Sequence, residues 1–116
     1  MKLTIEELES GIRCLAVEGR LDMAGAAAID LKFTSYAASS KSLILVDLSR
    51  LEFLASIGIR TLLVAAKAQR QRGGHFVICG AQPLVAAMIE TAGLQGVIPL
   101  VRDRAAGVAL LRAAPV

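Results

Sequence analysis

The chain has no tryptophan, one tyrosine, three phenylalanines and one histidine among its 116 residues. So few aromatics leave nothing to build the base-stacking platforms that grip single-stranded nucleic acid. Thirteen basic and ten acidic residues give a net charge of +3, and they are scattered rather than clustered. A nucleic-acid partner is therefore not expected. Two cysteines, Cys14 and Cys79, sit inside apolar runs and read as buried, reduced thiols. With a single histidine they make no zinc set, so no metal is expected. No uncharged apolar run approaches the roughly 18 residues of a membrane span. The stretch Met1–Glu7 lacks the apolar centre of a signal peptide. We expect a soluble, cytoplasmic, bacterial-type protein with no membrane partner.

Glycine motifs are missing too. No G-x-G-x-x-G follows the first strand-like run, and no G-x-x-x-x-G-K-[ST] occurs. Those glycines let backbone approach phosphates, so no nucleotide cofactor, and no other cofactor, is expected. Leu54-Ala55-Ser56-Ile57-Gly58 comes close to the G-x-S-x-G nucleophile elbow but lacks its first glycine. The one histidine, His75, follows too soon and at a strand start, which leaves Ser56 without a general base. No catalytic residue is assigned, and the chain is not expected to be an enzyme. Glu6 and Glu7 lie on an edge strand and read as solvated surface.

What is abundant is aliphatic: 55% of residues are hydrophobic. That supplies the core of a single domain over 1–116. Residues 2–8 alternate as a half-buried edge strand, Glu9-Ser10-Gly11 turns, and Ile12–Val17 returns as an antiparallel partner ended by Glu18-Gly19-Arg20. Asp22 is a candidate N-cap for an Ala-rich helix over 24–38, with Ile29, Phe33 and Tyr36 as its larger apolar residues. Leu43-Ile44-Leu45-Val46 reads as a central strand buried on both faces, followed by a short polar turn. A helix runs from Ser56 to Arg72, with Ile59, Leu62, Leu63 and Ala66 facing the core, and Gly73-Gly74 stops it. His75–Cys79 is the next strand and Gly80 ends it. A helix from Pro83 to Thr91 stops at Gly93. Residues 97–101 form a last strand with Pro99 marking an edge. Asp103–Arg112 closes as a helix. The order β-β-α-β-α-β-α-β-α implies an α/β domain: a mixed, mostly parallel sheet of about five strands with about four helices.

Ser56 occupies the most informative position. A small hydroxyl residue opening a helix lies beside free N–H groups and the positive end of the helix dipole, an environment suited to phosphate. The plainer reading is that Ser56 caps the helix. Arg60, Val64, Lys67 and Gln71 recur at helical spacing on one face that begins at Ser56.

Several segments together resemble the STAS domain of bacterial anti-sigma factor antagonists. They are Asp47-Leu48-Ser49 with Leu51-Glu52-Phe53-Leu54, then Ser56-x-Gly58-Ile59-Arg60 with its Leu-rich helix, then Gly73-Gly74 leading to Cys79-Gly80. Gly19-Arg20-Leu21-Asp22 resembles the family's G-x-L-D, and Ile89–Leu94 its short helix ending in Gly-Leu. The resemblance covers essentially the whole chain. It implies partner switching. The unphosphorylated antagonist binds an anti-sigma factor that is itself a serine kinase of the GHKL type, and so frees a sigma factor. Phosphorylation releases the antagonist, and a PP2C-type phosphatase reverses the modification. The acceptor corresponds to Ser56, with Asp22, Leu54, Ile57, Gly58, Arg60, Val64 and Lys67 expected to bind the partner. Two positions depart: Ala55 stands where founding members carry Asp, and Ile57 replaces a second Ser or Thr. Relatives also serve as fixed, non-phosphorylated adaptor subunits of transporters and signalling complexes, the alternative these departures leave open.

Overall fold

The computed structural model describes residues 1–114. Strands β1 (Lys2–Glu7) and β2 (Ile12–Leu21) pair antiparallel across a 3-10 turn at Glu9–Gly11. Then follow α1 (Met23–Ala37), β3 (Leu43–Leu54), α2 (Ser56–Arg72), β4 (His75–Cys79), α3 (Pro83–Thr91), β5 (Leu100–Val101) and α4 (Arg104–Arg112). The sheet order is β1-β2-β3-β4-β5, with every pair after the first parallel. This is the expected α/β domain.

Alternation along the central strands divides the core between two faces. Leu15, Val17, Ile44, Val46, Leu48, Phe76 and Ile78 pack under α1, α2 and α3. Ile12, Cys14, Leu45, Val77 and Cys79 pack under α4 through Leu111 and Val108. Tyr36 stays outside, its ring under the Arg13 guanidinium.

Two strands run further than expected. β2 continues through Glu18-Gly19-Arg20 to Leu21, and β3 continues through the supposed polar turn to Leu54. Register shifts between Ala16 and Glu18 and between Gly19 and Arg20 let the pair extend. Leu48, Leu51 and Leu54 consequently face the core at a spacing of three, which breaks the period-two pattern that reveals a strand. The last strand is shorter than expected. Pro99 lends its carbonyl to Ile78 N–H (3.0 Å) but has no N–H to give back, so β5 keeps only Leu100 and Val101.

At the far end of β3, α2 carries one buried polar residue. Gln69 donates Nε2–H to Ala37 O and Ser40 O (both 2.8 Å) and accepts from Ser42 N–H through Oε1 (3.0 Å). Gly73 terminates the helix in the left-handed region (φ 81°). Gly74 has a different reason: a methyl there would overlap Gln69 Oε1.

On the α4 face, Asp47 is buried and accepts from Arg104 Nε (2.6 Å) and Ser49 N–H (2.9 Å). Arg104 Nη1 also reaches Glu6 Oε1 (3.2 Å). Burial raises the Asp47 pKa, but the Arg104 and Ser49 bonds outweigh it and hold the carboxyl below its ordinary 3.8. A folded value below the unfolded one stabilises above the unfolded value, and that stability is lost as pH falls through the folded value. Asp47→Asn is expected to lower the melting temperature at pH 7 and to shrink the drop between pH 7 and pH 3. An unchanged pH dependence would show that the clamp contributes nothing.

Candidate functional site

β2 and β3 run parallel and finish together at Leu21 and Leu54. Each passes at once into a helix, so the N-termini of α1 and α2 emerge side by side at one end of the sheet. The two starts differ. Asp22 caps α1, accepting from Gly25 N–H (2.9 Å). The N-cap of α2 is Ala55, whose methyl side chain has no acceptor to offer; its own N–H donates to Leu21 O (2.9 Å). Ser56 is therefore the first helical residue and not the cap, which corrects the plainer reading of it. Its hydroxyl is exposed and makes no hydrogen bond among the described residues.

An uncapped helix start leaves its leading N–H groups to water and to the positive end of the dipole. Ala55 already has the extended backbone of an N-cap (φ −92°, ψ 170°). Ala55→Asp is therefore expected to stabilise the domain by about 1 kcal/mol, seen as a melting temperature a few degrees higher. No gain would mean that α2 starts elsewhere in solution.

From Ser56 the exposed face of α2 runs through Arg60, Val64, Lys67 and Gln71, as the helical spacing implies. Ile57 is 40% exposed and Val64 54%. These two, with Arg60 and Thr61, form one wall of a groove of about 520 Å³. The other wall is α1: Met23, Ala26, Ala27, Asp30 and Thr34. Met23, 77% exposed, was not anticipated as a site residue. Its position one residue into a helix parallel to α2 was the available signal, because equivalent crossovers from adjacent parallel strands place their helices side by side.

Two of the expected partner-binding residues do not lie on this surface. Leu54 and Gly58 are buried. A Cβ on Gly58 would lie 2.6 Å from Leu21 Cγ and 2.8 Å from Leu54 Cδ1. Both residues seat the first turn of α2 against the sheet and so fix where Ser56 points. Asp22 is half-buried, with Arg20 Nε 3.7 Å from its Oδ2. The Arg20 guanidinium lies over the Phe53 ring, 4.4 Å from its centroid. On the other flank, Phe53, Ser56, Ile59, Met88 and Thr91 line an apolar hollow between α2 and α3.

The other candidate reactive groups lie elsewhere. His75 opens β4 opposite Leu43, at the end of β3 remote from Ser56. Burial pushes the Cys14 thiol up to about 11 and the Cys79 thiol up to about 12, so both are neutral near pH 7. Ser56 has no base beside it, but it has an accessible oxygen, free N–H groups and Arg60 one turn along the helix. That arrangement suits receiving an anionic group better than attacking a substrate.

Known proteins share this architecture. A family model described as "Mlab, STAS domain" matches residues 8–102. BtrV of Bordetella bronchiseptica, a protein named as an anti-sigma factor antagonist, is 28% identical over 114 residues, covering 98% of this chain and 97% of its own. The crystal structure of an anti-sigma factor antagonist from Mycobacterium paratuberculosis superposes with a TM-score of 0.86 at 25% identity, covering 96% of this chain and 93% of that one. SpoIIAA, described as a Bacillus cell fate determinant in its phosphorylated form, shares the fold. Its unphosphorylated form gives a TM-score of 0.78 at 16% identity over 99% of this chain and 100% of that one. Among the described residues, no helix is long and apolar enough to cross a membrane. With the family model spanning residues 8–102, most of its length, the chain belongs to the STAS domain family.

Proposed function

We propose that this domain is an anti-sigma factor antagonist that works by partner switching, with Ser56 as the phosphoacceptor. The observation that carries the reading is the exposed, unbonded Ser56 hydroxyl at the first turn of α2, beside an apolar groove. Names carried by relatives such as BtrV support the anti-sigma factor as the partner class. Unphosphorylated, the domain offers Ile57, Val64 and Met23 as apolar anchors, with Arg60 and Lys67 supplying charge around them. The partner in this reading is an anti-sigma factor that is also a GHKL-type serine kinase, and a PP2C-type phosphatase restores the free hydroxyl. The domain acts in the cytoplasm as a binding protein and not as an enzyme.

Phosphorylation adds about −1.5 to −2 charge and three acceptor oxygens. At the start of α2 the helix tolerates this, because the dipole and free N–H groups favour an anion. The cost falls on the complex, where a dianion would have to enter a desolvated apolar interface. Incubation with ATP and the cognate kinase is expected to add one phosphate, which peptide mapping places on Ser56, and Ser56→Ala is expected to take up none. A phosphate mapped to another residue, or no phosphate at all, would overturn the assignment.

The apolar groove, together with Ala55 and Ile57 at the departing positions, also favours a second reading: a non-phosphorylated STAS adaptor held permanently by a larger complex. An adaptor would bind its partner equally well with Ser56 or with Asp in its place.

A further inference from the structure

β1 is an edge strand, with no strand beyond it among the described residues. It carries no proline, and its register with β2 has no bulge, so of the devices that blunt an edge it keeps only its charges, Lys2, Glu6 and Glu7. Leu8 N–H donates to Ile12 O (2.7 Å), making that opposite pair a bonded one. Bonded and non-bonded pairs alternate along an antiparallel ladder. Lys2, Thr4 and Glu6 therefore bond to β2, while Leu3 and Ile5 turn their N–H and C=O groups outward.

The side chains add a charge pattern. Across the sheet, Lys2 lies opposite Glu18, and Glu18 opposite Arg50, with Arg50 Nη1 3.8 Å from Glu18 Oε1. This alternating row reaches the open edge on Lys2, which makes no ion pair among the described residues.

We propose that β1 pairs antiparallel with β1 of a second copy of this chain, about a two-fold axis at Thr4. This register sets Leu3 opposite Ile5 of the second copy, so the two outward-facing residues exchange both N–H···O bonds. Lys2 then lies opposite Glu6 of the second copy in a non-bonded pair, where side chains approach most closely. Glu6 already accepts from Arg104 (3.2 Å), so the row continues from Lys2 through Glu6 to Arg104 of the other molecule. The two-fold makes this match twice. The neighbouring registers with the same bonding pattern put Lys2 opposite Thr4 or Leu8 and pair no opposite charges. On the other face, Leu3 and Ile5 are half-buried against the main core, and a second copy would cover what remains exposed. The interface is independent of Ser56.

Light scattering or sedimentation of the full chain across a concentration series tests it. The wild type is expected to form a dimer as concentration rises. Lys2→Glu and Glu6→Lys should each weaken that dimer about tenfold or more, because each sets two like-charge pairs face to face. An equimolar mixture of the two variants restores opposite charges at both positions and should associate far more tightly than either variant alone. Circular dichroism melts confirm that each variant is folded. A wild type monomeric up to its solubility limit would overturn the proposal, leaving the edge to a strand of a different protein. So would a dimer indifferent to both substitutions, or a mixture no tighter than its components.

Discussion

Replacing Gln69 by leucine is expected to lower the stability of the domain by about 3 kcal/mol, although leucine is the better hydrophobe. Gln69 is fully buried and joins three backbone groups: Ala37 O, Ser40 O and Ser42 N–H. These belong to the C-terminal end of α1 and the loop that leads into β3, so one side chain ties α2 to the connection before the central strand. Leucine would leave all three groups without that partner, each at roughly 1–3 kcal/mol where water cannot reach it. Ser40 is exposed and recovers a water bond, which is why the sum stays near the lower end. A loss of that size corresponds to a melting temperature about 10–15 °C lower. Chemical denaturation should show a lower midpoint with an unchanged slope. A melting temperature within a degree or two of the wild type would mean that the loop rearranges at no cost.

Ser56→Asp is the second large effect, and it falls on binding. The variant should fold and melt like the wild type, because a carboxylate at the first turn of α2 sits favourably in the helix dipole. Affinity for the anti-sigma partner should drop at least tenfold, since a charge would have to be buried among Ile57, Val64 and the apolar residues of α1. Aspartate carries less charge than a phosphoserine, so the authentic modification should weaken binding further. Ser56→Ala should bind like the wild type and resist release by ATP. If Ser56→Asp binds with full affinity, the adaptor reading replaces the switch.

Where local chemistry decides the structure, the residues announce it. α2, β4 and α3 begin and end where helical periodicity, Gly73, Gly80 and Pro83 place them. The continuation of β3 to Leu54 was hidden because its pairing with β2 passes through register shifts, so buried leucines fall three apart. The extra residues lie on β3 itself, between Asp47 and Arg50 and between Leu51 and Phe53, and a bulge shifts the alternation that would otherwise mark the strand.

The site was legible as a position and less so as a surface. Ser56 was identifiable from the strand-to-helix junction, but its place as first helical residue depends on Ala55 being the cap, one with no side-chain acceptor. Leu54 and Gly58 belong to the packing beneath the site because Leu21 arrives beside them from β2. That contact spans more than thirty residues of sequence and has no local signature. Met23 entered the site for the same reason, through the side-by-side arrangement of α1 and α2.

Equilibrium titration of the partner kinase with the chain before and after stoichiometric phosphorylation at Ser56 tests the switch most directly. Partner switching predicts tight binding by the unmodified domain and an affinity lower by about a hundredfold or more for the phosphorylated one, with the melting temperature preserved. Equal affinities for the two forms would contradict it.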